Sequence, residues 1–315
     1  MTILDNPPTK VQNLEITADN DGQRIDNYLM SKLKGVPKSR IYKILRSGEV
    51  RVNKGRIKPG HRLNSGDIVR IPPVRVNESQ TSNIPERFIN ELNDAVLFEN
   101  DDLIIINKPA GLAVHAGSNV AFGVIDILRA DRFANKFIEL VHRLDRQTSG
   151  CLVLAKSRIA LTQLNALFNS SHDIKKQYLT LTKGKWADTE HRIDAPLSKS
   201  EIKSGERMVT INPQGKNAVS LFKPVEQFSI CSLVEVTLLT GRTHQIRVHA
   251  ASQQHPVAGD EKYGDKVFNK ELKQLGLNRM FLHARHLEFT FNGLINVTAP
   301  LDDQLKNLIE TLRIQ

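Results

Sequence analysis

Apolar residues recur at four-residue intervals at Ile25, Leu29 and Leu33, with Tyr28 widening the stripe, and predict an amphipathic helix that Gly35 and Pro37 bring to an end. The stretch KSRIYKILRSG predicts a second short helix, with Ile41, Ile44 and Leu45 on one side, Arg40 and Lys43 on another, and Gly48 suited to its C-terminal cap. Short β-type runs from Val50 and from Asp67 follow, separated by the turn-rich KGRIKPGHRLNSG. Pro72-Pro73 closes the segment. Residues 77–83, NESQTSN, are polar and aperiodic and predict a linker, which a modest helical pattern from Pro85 to Leu92 extends to residue 95.

From Val96 the pattern turns β-rich, and the unbroken apolar run Leu103 to Ile106 predicts a strand buried on both faces. In NKPAGLAVH, Pro109 and Gly111 set a tight turn that is expected to expose Lys108 and His115. A helix from Gly123 to Arg129 comes next. The polar turn VHRLDRQTSG then lies between a strand end at Phe137 to Val141 and a β-type run at Cys151 to Ala155. RIALTQLNALF predicts a helix on Leu161, Leu164 and Leu167, and KKQYLTLTKGKW predicts a strand with Tyr178 and Thr180 on one side, Leu179 and Leu181 on the other. Two more β-type runs, Ala218 to Val225 and Ser232 to Leu239, lead to GRTHQIRVH. There Thr243 is expected to cap a helix whose one face carries His244, Arg247, Val248 and Ala251. The turn-rich HPVAGDEKYG, the strand-like FLHARHLEFTF and a packing helix on Leu305, Leu308, Ile309 and Leu312 complete the chain.

Composition changes this picture in one place. A chain of 315 residues at 40% hydrophobic content suits one large core or two domains of an ordinary globular protein. No apolar run approaches the roughly 20 residues that span a bilayer, and no secretory leader is expected at the N-terminus. Cys151 and Cys231, flanked by apolar residues and outside any CxxC, predict buried thiols in a reducing cytoplasm rather than a disulfide or a zinc site. The net charge of +10 is local: Gly22 to Val76 holds fourteen Lys and Arg against three Asp and Glu, and the remainder is nearly neutral. Such a distribution describes a polyanion-binding module on a neutral body.

Candidate chemistry centres on Asp145, set between Arg143 and Arg146 in a strand-to-strand connection of the kind that commonly carries functional groups. The same three residues also fit a plain surface ion pair, and a strand Tyr such as Tyr178 fits a core as readily as a site. His244 and His249 belong to no HExxH or Cys/His cluster, so no metal is expected.

GQRID, KGVPKSRIYKILRSGEVRVN and LNSGDIVRI, in this order across residues 14–76, resemble the S4 RNA-binding domain. That resemblance implies phosphate contacts from Lys38, Arg40, Lys43, Arg46, Lys54, Arg56 and Lys58, which supply affinity and register more than sequence selection. NKPAGLAVH, HRLDRQTSG, KKQY, GRTHQIRVH and HPVAGDEKYG, spread over residues 96–300, resemble the RluA-like family of RNA pseudouridine synthases. The S4-like module in front, with the wording around it, narrows the likeness to the RluC-type branch, which acts on large-subunit ribosomal RNA. Gln254 departs from the pattern, since many relatives have Gly before His-Pro.

The resemblance implies an α+β protein: a small S4 domain, a linker over 77–95, and a catalytic domain over 96–315 on a mixed, mostly antiparallel sheet with a central cleft. It implies isomerisation of uridine in 23S ribosomal RNA, free or in a pre-ribosomal particle, with no cofactor, metal or membrane partner. Asp145 is then the reacting carboxylate, acting on the sugar, on the base, or as a base at C2′. By the same resemblance Arg247 is its charge partner, Tyr178 lies against the target base, and Arg143 fills the gap left by the flipped-out nucleotide. A hydrolysing glycosidase usually needs a second carboxylate to activate water, and none stands out near Asp145 in the sequence. The alternatives are a non-catalytic S4 RNA-binding or ribosome-associated protein, and a hydrolase using His142 or His244 with Asp145, which lacks a nucleophile elbow or metal-ligand spacing.

Overall fold

A computed structural model describes residues 10–33, 36–74, 84–117, 120–134, 136–170, 173–201 and 207–314. Residues 77–83 of the expected linker lie outside them, whereas its C-terminal part is the helix Glu86–Asp94. The chain forms two compact units, one built mainly of residues up to 83 and the other mainly of residues from 84 onward.

In the first unit the two predicted helices are Ile25–Lys32 and Lys38–Arg46. Their stripes, Ile25, Leu29 and Leu33 with Ile41, Ile44 and Leu45, are almost fully buried in one core. Each such side chain contributes about 1.5–3 kcal/mol by leaving water. The strands Ile68–Ile71, Arg51–Val52 and Gly55–Arg56 make the expected small sheet, and Gln12–Glu15, ahead of the helices, adds an edge strand against Ile68–Ile71. Gly48 takes a left-handed φ of 75° at the end of the second helix, where an added Cβ would strike the Arg56 guanidinium. Lys38, Lys43, Arg46, Lys54, Arg56 and Lys58 are exposed, and Arg40 is partly so. The apolar stripe thus leaves these cations on the solvent side of the unit.

The second unit is built on a ten-stranded sheet. Its spine runs His191–Asp194, Val219–Gln227, Cys231–Leu238, Ile174–Lys183, Leu282–Thr290, Ser149–Ala155, Leu103–Lys108 and Val96–Glu99. Leu294–Thr298 and Glu139–Leu140 pair to its side. Among the described residues every pairing of this sheet is antiparallel except one, Leu282–Thr290 with Ser149–Ala155, in register at His283–Ser149 and Ala284–Gly150. That parallel seam joins two antiparallel halves, and the Asp145 turn opens directly onto it. Leu103 to Ile106 are all buried, as their unbroken run predicts. Leu179 and Leu181 pack with Phe268, Leu272 and the terminal helix Asp303–Ile314. Tyr178 turns the other way, toward Ile246 and Ala250 of the helix Gln245–Ser252.

Gly150 is a point of close backbone approach in the seam. Its φ is 107°, and a Cβ there would sit 2.2 Å from the Ala284 carbonyl oxygen. Gly150→Ala is therefore expected to lose at least about 1–3 kcal/mol from the backbone strain alone, read as a lower urea midpoint. A variant as stable as the parent would show that the seam can open at no cost. Gln254 also has a left-handed backbone, φ 64°, which a glycine adopts freely.

Candidate active site

The turn that carries Asp145 is held from behind by the NKPAG loop. The Gly111 N–H donates to the Arg146 carbonyl at 2.8 Å, and Arg146 Nε returns a bond to the Gly111 carbonyl at 2.8 Å. Lys108 was expected to be exposed, but it is fully buried. Its Nζ donates to the carbonyls of Pro109 (2.7 Å), Leu112 (2.8 Å) and Arg146 (3.2 Å), so three acceptors meet its three donors. Lys108 pairs with Gly150 across the sheet, and this position turns its side chain inward under the loop. Burial, helped by Arg279 and opposed by Asp145, brings its ammonium down to about 7. His115 is exposed, as expected.

Arg146 is thus occupied with the loop, and a guanidinium for Asp145 comes from a hundred residues away. Arg247 Nη1 donates to Asp145 Oδ2 at 2.9 Å. The same guanidinium makes a two-pronged contact with Asp260, Nε to Oδ2 at 2.7 Å and Nη2 to Oδ1 at 2.8 Å. Asp260 is 1% exposed and also accepts the N–H groups of Lys262 and Tyr263. Burial pushes the Asp260 carboxyl up, but Arg247 and the two N–H bonds outweigh it and hold the group below its ordinary value. Burial likewise opposes the charge on Arg247, and its two carboxylates raise it well above the usual arginine range. One guanidinium therefore ties a half-open carboxylate to a buried one.

The helix bearing Arg247 begins differently from its expectation. His244, with φ 55° and ψ 19°, occupies the N-cap position in place of Thr243 and makes no side-chain cap bond. The start is secured by Gln245, whose Oε1 accepts from Thr240 Oγ1 and the Arg242 N–H, and whose Nε2 donates to the Val219 carbonyl and Ser220 Oγ. The cap change brings His244 to the site: its Nε2 lies 3.7 Å from Asp145 Oδ1 and its Nδ1 2.8 Å from Tyr263 Oη. His249 is spent structurally, against Ser220 Oγ and the Ala195 carbonyl.

Tyr178 and Arg143 line the same recess as Asp145 and Arg247. Burial, reinforced by the charge of Asp145, raises the Tyr178 phenol, which stays protonated at neutral pH and is a hydrogen-bond donor. The recess opens into a cleft of about 600 Å³ whose walls include Arg143, Lys176, Arg242 and Asn165. Arg143 is exposed at this mouth. His142, a partner for Asp145 in the hydrolase alternative, instead accepts the Val153 N–H at 3.1 Å and stacks on Phe168. Burial lowers it to about 4, leaving it neutral.

The structure brings Asp145, Tyr178, Arg247 and Arg143 to one place in the second unit, while the seven candidate phosphate-binding cations belong to the first unit. Sequence reasoning did not single out Asp260 and Tyr263 as site residues, although both stand in the HPVAGDEKYG motif. A carboxylate and a phenol three residues apart in a turn-rich loop were the available signal.

Residues 102–252 match the family model described as RNA pseudouridylate synthase, and residues 23–69 match the S4 domain. The chain is 50% identical over 310 residues to the ribosomal large subunit pseudouridine synthase C of Haemophilus influenzae, covering 97% of this chain and 96% of that protein. It is 48% identical over 314 residues to the protein of the same name from Escherichia coli, covering 98% of each. Among solved structures, human RNA pseudouridylate synthase domain containing 4 is similar at a TM-score of 0.60 and 25% identity, covering 72% of this chain and 96% of that one.

Proposed function

The chain belongs to the RNA pseudouridylate synthase family, joined to an S4 domain, and from that premise we propose that Asp145 is the carboxylate with which it isomerises uridine to pseudouridine in the 23S RNA of the large ribosomal subunit. The observation that carries the site assignment is the placement of Asp145, held by Arg247 at 2.9 Å, in one recess with Tyr178. The reaction breaks the bond from N1 to C1′, turns the base, joins C5 to C1′, and exchanges the C5 proton for one on N1. Arg247 takes up Oδ2, which leaves Oδ1 facing the recess as the reacting oxygen. The protonated Tyr178 phenol packs beside the base and hands on a proton. A uridine in folded RNA must first leave its stack, at a cost of roughly a few kcal/mol, and Arg143 at the mouth of the cleft occupies the space it leaves.

Purified protein incubated with large-subunit RNA tritiated at uridine C5 is expected to release tritium to water, because C5 gives up its hydrogen when it becomes the glycosidic carbon. No release from free RNA or from a pre-ribosomal particle would defeat this function. A purely RNA-binding S4 protein would have no use for the network of Asp145, Arg247 and Asp260 and is not favoured. The two buried free thiols, Cys151 and Cys231, accord with action in the reducing cytoplasm.

The S4 unit supplies affinity through Lys38, Arg40, Lys43, Arg46, Lys54, Arg56 and Lys58. Replacing Lys43, Arg46 and Lys54 by Gln is expected to weaken binding evenly across RNA sequences. It should also flatten the dependence of log K on log salt by about 2–3, at 0.7–0.9 per lost phosphate contact. An unchanged slope in a filter-binding titration would remove these side chains from the interface.

A further inference from the structure

The two oxygens of Asp145 have different neighbours. Oδ2 accepts from Arg247, and Oδ1 faces His244 Nε2 at 3.7 Å. His244 holds a left-handed backbone that a residue with a side chain rarely adopts, and its other ring nitrogen meets Tyr263 Oη at 2.8 Å. Tyr263 is itself fixed on three sides. Its Oη accepts the Val209 N–H at 2.9 Å, its ring lies 5.0 Å from the Arg247 guanidinium, and its own N–H donates to Asp260. With Val209 on one lone pair of Oη, the phenolic proton is available to His244 Nδ1, which leaves the imidazole proton on Nε2 and aimed at Asp145 Oδ1.

We propose that His244 is a positioning residue for the isomerisation: its Nε2–H orients Oδ1 of Asp145 toward the substrate, and Tyr263 sets the tautomer that makes this possible. The inference rests on Asp145 being the reacting carboxylate. At 3.7 Å the contact is longer than a hydrogen bond, and such contacts tighten when reactants bind. The groups facing His244 are Asp145, Asp260, Arg247, Lys262 and the Tyr263 hydroxyl. Burial, with Arg247 and Lys262, lowers the imidazole against the pull of Asp145 and Asp260, so it is neutral at physiological pH. Protonation in acid would turn the donor into an ion partner that occupies Oδ1, and activity should fall there.

The test is tritium release by His244→Ala, His244→Gln and Tyr263→Phe, with kcat and KM followed between about pH 5 and pH 8, where an imidazole titrates. His244→Ala is expected to lower kcat by about 10- to 100-fold, the worth of a hydrogen bond to a charged group, with KM nearly unchanged. His244→Gln places an amide N–H near the position of Nε2, so it should recover most of that loss and move the acid limb of kcat to lower pH. Tyr263→Phe should lower kcat less and displace the acid limb. A rise in KM at constant kcat in His244→Ala would make His244 an RNA contact and overturn the proposal, as would an acid limb unchanged in His244→Gln. If His244→Ala does not fold, the Gln and Phe variants decide. Wild-type kcat in the His244 variants beside an inactive Asp145→Asn would sink this inference alone, whereas an active Asp145→Asn would sink the site assignment beneath it.

Discussion

Asp145→Asn is expected to lower tritium release at least about 1,000-fold, in line with removal of a group that reacts covalently or takes the key proton, while the protein stays folded. The fold should survive because the change is isosteric and the Asn carbonyl can still accept from Arg247 Nη1. The Asp145 side chain is 28% exposed, and ion pairs this open to water contribute no more than about 1 kcal/mol. Arg247 also keeps Asp260 as a charged partner, so no buried cation is stranded. A single-turnover assay with a thermal melt of the same preparation separates chemistry from folding. An Asn variant within tenfold of wild type would remove Asp145 from the chemistry.

Arg247→Met is expected to damage both stability and activity. It leaves Asp260, 1% exposed, without its cation, and stranding one member of a buried pair costs about 3–5 kcal/mol. For a unit of this size that corresponds to a melting temperature lower by about 6–20 °C. Activity falls as well, since Asp145 Oδ2 loses its donor. The double variant Arg247→Met with Asp260→Asn should recover much of the stability, because the stranded charge is gone, yet none of the activity. If it regains activity, the work of Arg247 is only to neutralise Asp260; if Arg247→Met melts like wild type, the pair is not structural. The pair also gives stability a pH dependence. Asp260 has a folded-state value below the ordinary 3.8, so its contribution is fully present above that value and is lost as pH falls through the lower, folded one. Acid unfolding should steepen below about pH 4 in wild type and less so in the double variant.

Much of the fold was legible because burial leaves a periodic trace. Ile25, Leu29 and Leu33, the run Leu103 to Ile106, and the alternation of Tyr178 with Leu179 all lie on the sides their spacing predicts. Lys108 misled because a lysine beside Pro-Ala-Gly has the composition of an exposed loop. Its burial depends on carbonyls that converge only when the HRLD turn is folded over it. Thr243 misled because a hydroxyl before a helix is ordinarily the cap, whereas here Gln245 binds the groups at the helix start and the chain enters it through a left-handed His244.

By itself the sequence determined the order of elements, the placement of the excess positive charge in one N-terminal module, and the family likeness of the stretch around Asp145. Those properties are local, set by spacing along the chain and by the types of neighbouring residues. The resemblance already implied Arg247 as the partner of Asp145, but the contact itself, and the Asp260 carboxylate that anchors it, were decided by tertiary structure. The parallel seam at Gly150 and the left-handed start of the helix bring residues 145, 247 and 260 within hydrogen-bonding distance, and no periodicity records a contact across a hundred residues. A neighbouring Arg146 has sequence proximity, but its side chain is bound to Gly111; Arg247 has the geometry, because a buried guanidinium is held where two carboxylates can both reach it.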